Sequence, residues 1–190
     1  MKGDNPSGAD NQQERPGFEQ WVVGFVDGEG CFSVPIFRNH TYRLGWQAQP
    51  AFAVVQGARS VHVLHELRAF FGCGYVFINR RHDNHREHLY RYDVRSPRDL
   101  LGRIIPFFEA NPLRTAKVDD FMKFATIVRM KECGLHRAAE SMIQIARIVE
   151  TMNHRKPSRF LESSEAIRQP ALLDGRAEDM VLASWRHEGL

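Results

Sequence analysis

The chain predicts an α+β fold in the order αββαββα, with further helical stretches behind it. Three observations carry this. Residues 18–28 space Trp21, Val22, Phe25 and Val26 for helical faces. Residues 31–38 and 46–56 alternate as two strands joined by a polar turn. From Ser60 the same order of one helix and two strands comes again, and a run of helical patterns follows.

Each element has a local reason. In the first helix Gly24 and Gly28 are four apart and share a stripe, which removes side chains where two helices approach closely. Gly28 or Gly30 could also cap that helix, but Gly24 lies too early for capping. The strand over residues 31–38 sets Phe32, Val34 and Ile36 on one face and Ser33, Pro35 and Phe37 on the other. The next strand directs Trp46, Ala48, Phe52 and Val54 to a core, and Gln47, Gln49, Ala51, Ala53 and Val55 outward. Ser60 caps a helix that turns Val61, Leu64, Leu67 and Phe71 inward and stops at Gly72. Residues 75–80 and 89–94 form a hairpin around a long basic loop. Ser96, Pro97 and Asp99 open a helix in the order cap, proline, acid, and Pro106 should end or kink it. Residues 115–131 form an amphipathic helix with Phe121, Phe124 and Val128 inward; another helix covers 137–153, and two short helical candidates lie in the polar tail.

Composition narrows the function classes. Hydrophobic content is 43% and aromatic content 11%, which suits a packed core, and the apolar runs are too short to span a bilayer. Residues 1–17 lack the features of a secretory signal and read as a disordered leader. A core over residues 18–135 and a helical extension over 136–190 complete the expected organisation. Cys31, Cys73 and Cys133 are odd in number and widely spaced, which speaks for a reducing compartment and against a disulfide framework or cysteine zinc site. The expected location is therefore intracellular, in a bacterial cytoplasm or an organelle. The formal charge is only +3, yet residues 31–110 hold 11 arginines, no lysine and 6 acids, whereas residues 1–30 hold 2 bases and 6 acids. Arginine gathered in one segment suits a polyanion, because its planar fork pairs with phosphates and guanine edges.

The end of the first helix poses a chemical question. In "WVVGFVDGEG" the acids Asp27 and Glu29 fall where helix carbonyls are unpaired and the macrodipole is negative. A carboxylate is poorly placed there for stability. A divalent cation reverses the sign and makes Glu29 and the Gly28 carbonyl neighbouring oxygen ligands; Mg²⁺, or another divalent cation, keeps several waters and accepts phosphate oxygens beside them. Two such helices packed along the glycine stripe would bring two carboxylates to one axis, an arrangement able to cut both strands of a duplex.

The same ten residues closely resemble the signature of the LAGLIDADG homing endonucleases, with Val22 through Gly30 against its nine letters. The likeness extends through the strand pair, Gln56, "GCGYV", "PFFEANPLRTAKVDDF" and "MNHRKPSRFLESSEAIRQ", about residues 18 to 170. It implies an antiparallel DNA-binding sheet and a site-specific double-strand DNA endonuclease encoded in an intron. It implies Glu29 as catalytic metal ligand, Gly28 as the carbonyl ligand and Asp27 as a structural acid near the helix interface. Gln56 resembles a residue that orders water at the scissile phosphate. Lys117 resembles the basic residue near the cleavage centre, with Arg114 or Arg59 as alternatives. Alternation then assigns Ser33, Pro35, Phe37, Asn39, Arg43, Gln47 and Gln49 to the DNA side, joined by Phe77, Asn79, Arg81 and Tyr90 of the second hairpin. Pro35 and Phe37 depart from a base-reading pattern, since neither side chain forms hydrogen bonds. One signature per chain implies a homodimer meeting through Val22, Gly24, Phe25, Asp27 and Gly28, on near-palindromic DNA. An RNA-binding intron-splicing maturase is the alternative on the same fold.

Blander readings account for other features. "DGEG" lacks the further oxygens of an EF-hand. His82, His85 and His88 suit phosphate contacts or solvent better than zinc. The cysteines read as small packed thiols, and the Phe and Met stripe over residues 121–130 reads as core.

Overall fold

The computed structural model describes residues 14–79, 88–153 and 157–163. The expected leader through residue 13, Arg81 with His82 and His85, and the helical candidates of the tail lie outside the described residues. The elements run α1 (Glu14–Glu29), β1 (Gly30–Ser33), β2 (Ile36–Arg38), β3 (Trp46–Ala48), β4 (Ala51–Gly57), α2 (Val61–Phe71), β5 (Tyr75–Asn79), β6 (Leu89–Val94), α3 (Pro97–Asp99), a π-helical turn (Leu100–Ile104), α4 (Ile105–Ala110), α5 (Lys117–Glu132) and α6 (Ala139–Glu150). This is the expected α+β order, with each long strand broken in two. The breaks fall at Pro35 and Pro50. Proline has no N–H for a ladder, so pairing stops beside it even though the apolar alternation continues. A four-stranded sheet results, in the order β1-β4-β6-β5, together with a separate β2-β3 ribbon.

Among the described residues two compact units form, one within the bounds Met1–Cys31 and Phe52–Val118, the other within Phe32–Ala51 and Asp119–Leu190. In the first, Phe52, Val54, Tyr92 and Val94 of the sheet and Val22 and Val26 of α1 are buried with Leu64, Leu67, Phe71 and Phe108. Phe52 meets Phe71, Tyr92 and Phe108 edge-on, at ring separations of 6.0, 6.1 and 5.7 Å. The Tyr92 hydroxyl, deep in this core, donates to the Cys73 carbonyl at 3.1 Å. Gly72 ends α2 with φ +62°, a left-handed conformation that favours glycine, and the Phe71 carbonyl beside it accepts from Arg103 Nη1 at 2.8 Å. Ser60 precedes α2 but makes no side-chain cap bond, contrary to expectation. Ser96 does accept from the Asp99 N–H, at 3.4 Å. Pro106 neither ends nor breaks its helix: the preceding turn widens, with Ile105 N–H bonding to Leu100, and the helix continues to Ala110.

In the second unit, Phe32 packs on Phe121 and Phe124 at 5.2 and 5.3 Å, and Trp46 meets Phe160 edge-on at 5.5 Å. Phe121, Phe124 and Val128 point inward as expected, whereas Met122 is 59% exposed and does not belong to the core stripe. Asn153, with φ 48°, donates its N–H to Asp120 at 3.0 Å and its side-chain amide to the Phe32 carbonyl at 2.9 Å. The β2-β3 ribbon pairs Phe37 with Gln47 and Arg38 with Trp46; the Arg38 guanidinium lies 4.3 Å above the Trp46 ring. Cys31 and Cys133 are exposed, so two of the three thiols are not packed.

Candidate active site

The C-terminal turn of α1 carries no basic residue of its own. Its exposed carbonyls are instead met from the segment leading into α5. Lys117 Nζ donates to the Val26 carbonyl at 2.9 Å and to the Gly28 carbonyl at 3.3 Å. An ammonium at the negative end of a helix is the placement electrostatics favours.

Asp27 fixes that segment. Its Oδ2 accepts from Arg114 N–H at 2.8 Å and its Oδ1 from the Thr115 hydroxyl at 2.6 Å; Thr115 N–H reaches both oxygens at 3.3 and 3.2 Å. The Thr115 hydroxyl in turn accepts from Lys117 N–H at 3.2 Å, tying the acid to the start of α5. Partial burial alone would push the Asp27 carboxyl up. The Thr115 hydroxyl, the two N–H groups and the Lys117 charge outweigh it and hold the group below its ordinary value.

Glu29 closes α1 with its side chain exposed. Gly30, by contrast, is buried against α1. A Cβ there would lie 2.5 Å from Val26 Cγ1 and 2.7 Å from the Val26 carbonyl oxygen, so only glycine lets the helix turn straight into β1. β1 lies beside β4, which carries half-buried Gln56 near its end. The geometry thus joins Gly28, Asp27 and Lys117, sets Glu29 next along the chain, and brings in Arg114 through its backbone rather than its guanidinium.

A divalent cation fits the donor set at this helix end. Glu29 and the Gly28 carbonyl are hard oxygens, and the turn already accepts a cation in the Lys117 ammonium. Among the described residues no three His, Cys, Asp or Glu side chains converge.

The opposite face of α1 is unusual for its exposure. Trp21, Gly24, Phe25 and Gly28 form one stripe, with Trp21 39% exposed and stacked on Phe25 at 4.9 Å and on Phe18 at 5.3 Å. A Cβ at Gly24 or Gly28 would meet nothing within 4 Å. Val22 is fully buried in its own chain, which corrects its assignment to an intermolecular face. Asp27 likewise directs its carboxylate to Arg114 and Thr115 of its own chain. Trp21 belongs to the stripe in their place; its position three residues before Gly24 could have revealed it.

The sheet faces are fixed by register. Pairing sets Val55, Arg91 and Phe77 in one row, and Ala53, Asp93 and Tyr75 in the next, all on one face. Tyr90 pairs with Gln56 and Ile78, on the other face, and therefore does not accompany Phe77 and Asn79. Arg91 takes that place. The parity of Tyr90 with the core residues Tyr92 and Val94 was the available signal. Ala51 and Ala53, expected to point outward, are 3% and 2% exposed because small side chains on an interior strand are hidden by longer neighbours. On the other ribbon, Asn39 Nδ2 donates to Gln47 Oε1 at 2.6 Å, and Asn39 Oδ1 accepts from the Thr41 hydroxyl at 2.8 Å. Ser33 Oγ donates to the Ala51 carbonyl at 3.5 Å, and Gln49 N–H to the Pro35 carbonyl at 3.0 Å. Pro35, Phe37 and Arg43 are exposed.

Residues 22–128, more than half of the chain, match the family model described as LAGLIDADG endonuclease. The protein is a member of the LAGLIDADG family. The crystal structure of the homing endonuclease I-TnaI is similar with a TM-score of 0.64 and 39% identity, covering 82% of this chain and 95% of that one. I-SmaMI, a LAGLIDADG homing endonuclease bound to cleaved DNA, is similar with a TM-score of 0.66 and 27% identity, over 73% of this chain and 45% of that one. Among curated relatives, a probable intron-encoded endonuclease 3 of Neurospora crassa is 32% identical over 135 residues, and this LAGLIDADG chain spans 24% of its length. A probable intron-encoded DNA endonuclease 1 of Mycosarcoma maydis is 28% identical over 147 residues, of which 50% of the relative is covered.

Proposed function

We propose that this LAGLIDADG protein is a site-specific double-strand DNA endonuclease that works as a homodimer with Mg²⁺ or another divalent cation. The observation that carries the reading is the end of α1, where the Lys117 ammonium bonds the Gly28 carbonyl and the exposed Glu29 is the next residue, within the stretch that matches the family. Relatives described as homing endonucleases bound to DNA support the nuclease over a splicing maturase.

In this reading Glu29 and the Gly28 carbonyl hold the cation. When bound, it supplies an acidified water and neutralises charge at the scissile phosphate. Lys117 offers its ammonium to the negative charge that develops on the phosphate oxygens. Gln56 donates and accepts hydrogen bonds that orient water. Asp27 does no chemistry; it holds the Arg114–Thr115 backbone so that Lys117 stays at the helix end. Exposed Gly24 and Gly28 let a second α1 approach closely, which brings two Glu29 carboxylates together for the two strands of a near-palindromic site. Of the DNA-side residues, Ser33, Pro35, Phe37, Asn39, Arg43, Gln47 and Gln49 belong to the β2-β3 ribbon and its flanks, and Phe77, Asn79 and Arg91 to the second hairpin.

The test is Glu29→Gln with duplex DNA and Mg²⁺. Cleavage should fall by at least about a thousandfold while binding to the same duplex stays within a few fold. A variant that cuts at the wild-type rate removes Glu29 from the reaction.

A further inference from the structure

Asp93 is an acidic side chain on the sheet face that this reading gives to DNA, and it is only 6% exposed. A carboxylate is costly to bury unless its charge is met. Here both oxygens are met by arginine: Oδ1 accepts from Arg91 Nε at 2.7 Å, and Oδ2 lies 2.5 Å from Arg95 Nε in an ion pair. Arg91 and Arg95 keep 27% and 49% of their side-chain surface exposed. A guanidinium gripped through Nε retains its two terminal amino groups, the pair that matches O6 and N7 of guanine. Space for the acid comes from Ala53, its cross-strand partner on β4, while Tyr75 pairs with it on β5 and is 75% exposed. Arg91 itself pairs with Phe77, which is 42% exposed, so a fork and an apolar ring stand side by side.

We propose that Asp93 is a positioning residue that holds Arg91 rigid for a guanine edge in the major groove, with Phe77 against the neighbouring base and Arg95 balancing the second carboxylate oxygen. A free arginine must lose rotamer freedom on docking; one already clamped through Nε loses less, and it discriminates better because its fork cannot swing to a phosphate. This rests on the DNA-endonuclease reading. It adds what that reading lacks, an acid inside a polyanion-binding face whose purpose is selectivity.

A sign-opposed experiment separates positioning from bulk charge. Full-length wild type, Asp93→Asn, Arg91→Lys and Arg95→Ala are equilibrated with a randomised near-palindromic duplex library, and bound sequences are counted; affinity for an unrelated duplex is measured alongside. Asp93→Asn deletes a negative charge, so a charge effect alone would tighten binding to every duplex. Positioning instead relaxes preference at one position per half-site by about tenfold, with affinity for unrelated DNA unchanged or higher. Arg91→Lys, which keeps the charge and does not depend on Asp93 being replaced, relaxes that same position. Arg95→Ala weakens binding without changing which base is preferred. If wild type selects a sequence and both Asp93→Asn and Arg91→Lys select it equally well, the positioning role is overturned and the endonuclease reading stands. If wild type selects no sequence at all, both fall.

Discussion

Asp27 gathers three donors from one short segment, Arg114 N–H, Thr115 N–H and the Thr115 hydroxyl, and its acidity records them. Because its folded pKa lies below the unfolded one, the stabilisation is complete above the ordinary carboxylate range and is lost as pH falls through the depressed value. Thermal melts from about pH 5 down to about pH 3 should therefore drop more steeply for wild type than for Asp27→Asn; parallel curves would mean the acid is idle. Gly30 makes a different demand. Gly30→Ala forces a methyl onto a backbone oxygen that cannot swing aside, and urea denaturation should register a loss of roughly 1–3 kcal/mol. Lys117→Met should lower the cleavage rate by about a hundredfold or more while duplex affinity changes little, since the proposed mechanism sets this ammonium at the phosphate whereas binding draws on several cations; a rate within a few fold of wild type would give that role to Arg59 or Arg114.

The helix α1 makes opposite predictions for one substitution, depending on whether it is alone or paired. Alanine at Gly24 meets nothing in its own chain, and a helix prefers alanine by up to about 1 kcal/mol, so Gly24→Ala should make the isolated protein more stable. The same methyl should abolish close helix-helix approach, seen as loss of dimer in sedimentation and of double-strand cutting. Stability and assembly both unchanged would leave the stripe without a purpose. At this scale the sequence was a good guide where a pattern has a local cause. Helix α2 stops at Gly72 and α3 is capped by Ser96, both as their residues require. It misled where bonding is non-local. Alternation runs unbroken through Pro35 and Pro50, but hydrogen bonding does not, and the two strands became four. Tyr90 lies on the face opposite Phe77, because its parity with Tyr92 and Val94 follows the buried face. The wide turn before Pro106 has no signal in periodicity at all.

For the whole molecule, Gly28, Asp27 and Glu29 were legible because they share one turn, whereas Lys117, far along the chain, was legible only through the family resemblance. The intrachain engagement of Asp27 could not be read from a line of letters, since Arg114 and Thr115 lie far along the chain; Arg91 and Arg95 stand two residues either side of Asp93, but its burial beside Ala53 depends on strand pairing. Arginine content does carry to this scale. If roughly four phosphates are neutralised per binding event, affinity should fall by about a hundredfold as salt rises fourfold, and a flat profile would remove phosphate contacts as its source. The exposed Trp21, stacked between Phe18 and Phe25, also gives the protein an optical property. Trp46 is 6% exposed and sealed against Phe160 and Arg38, so its emission has little reason to respond to a partner. With Trp185 replaced by phenylalanine, any blue shift on raising concentration would report water leaving the α1 surface, and assembly could be followed in real time without a label.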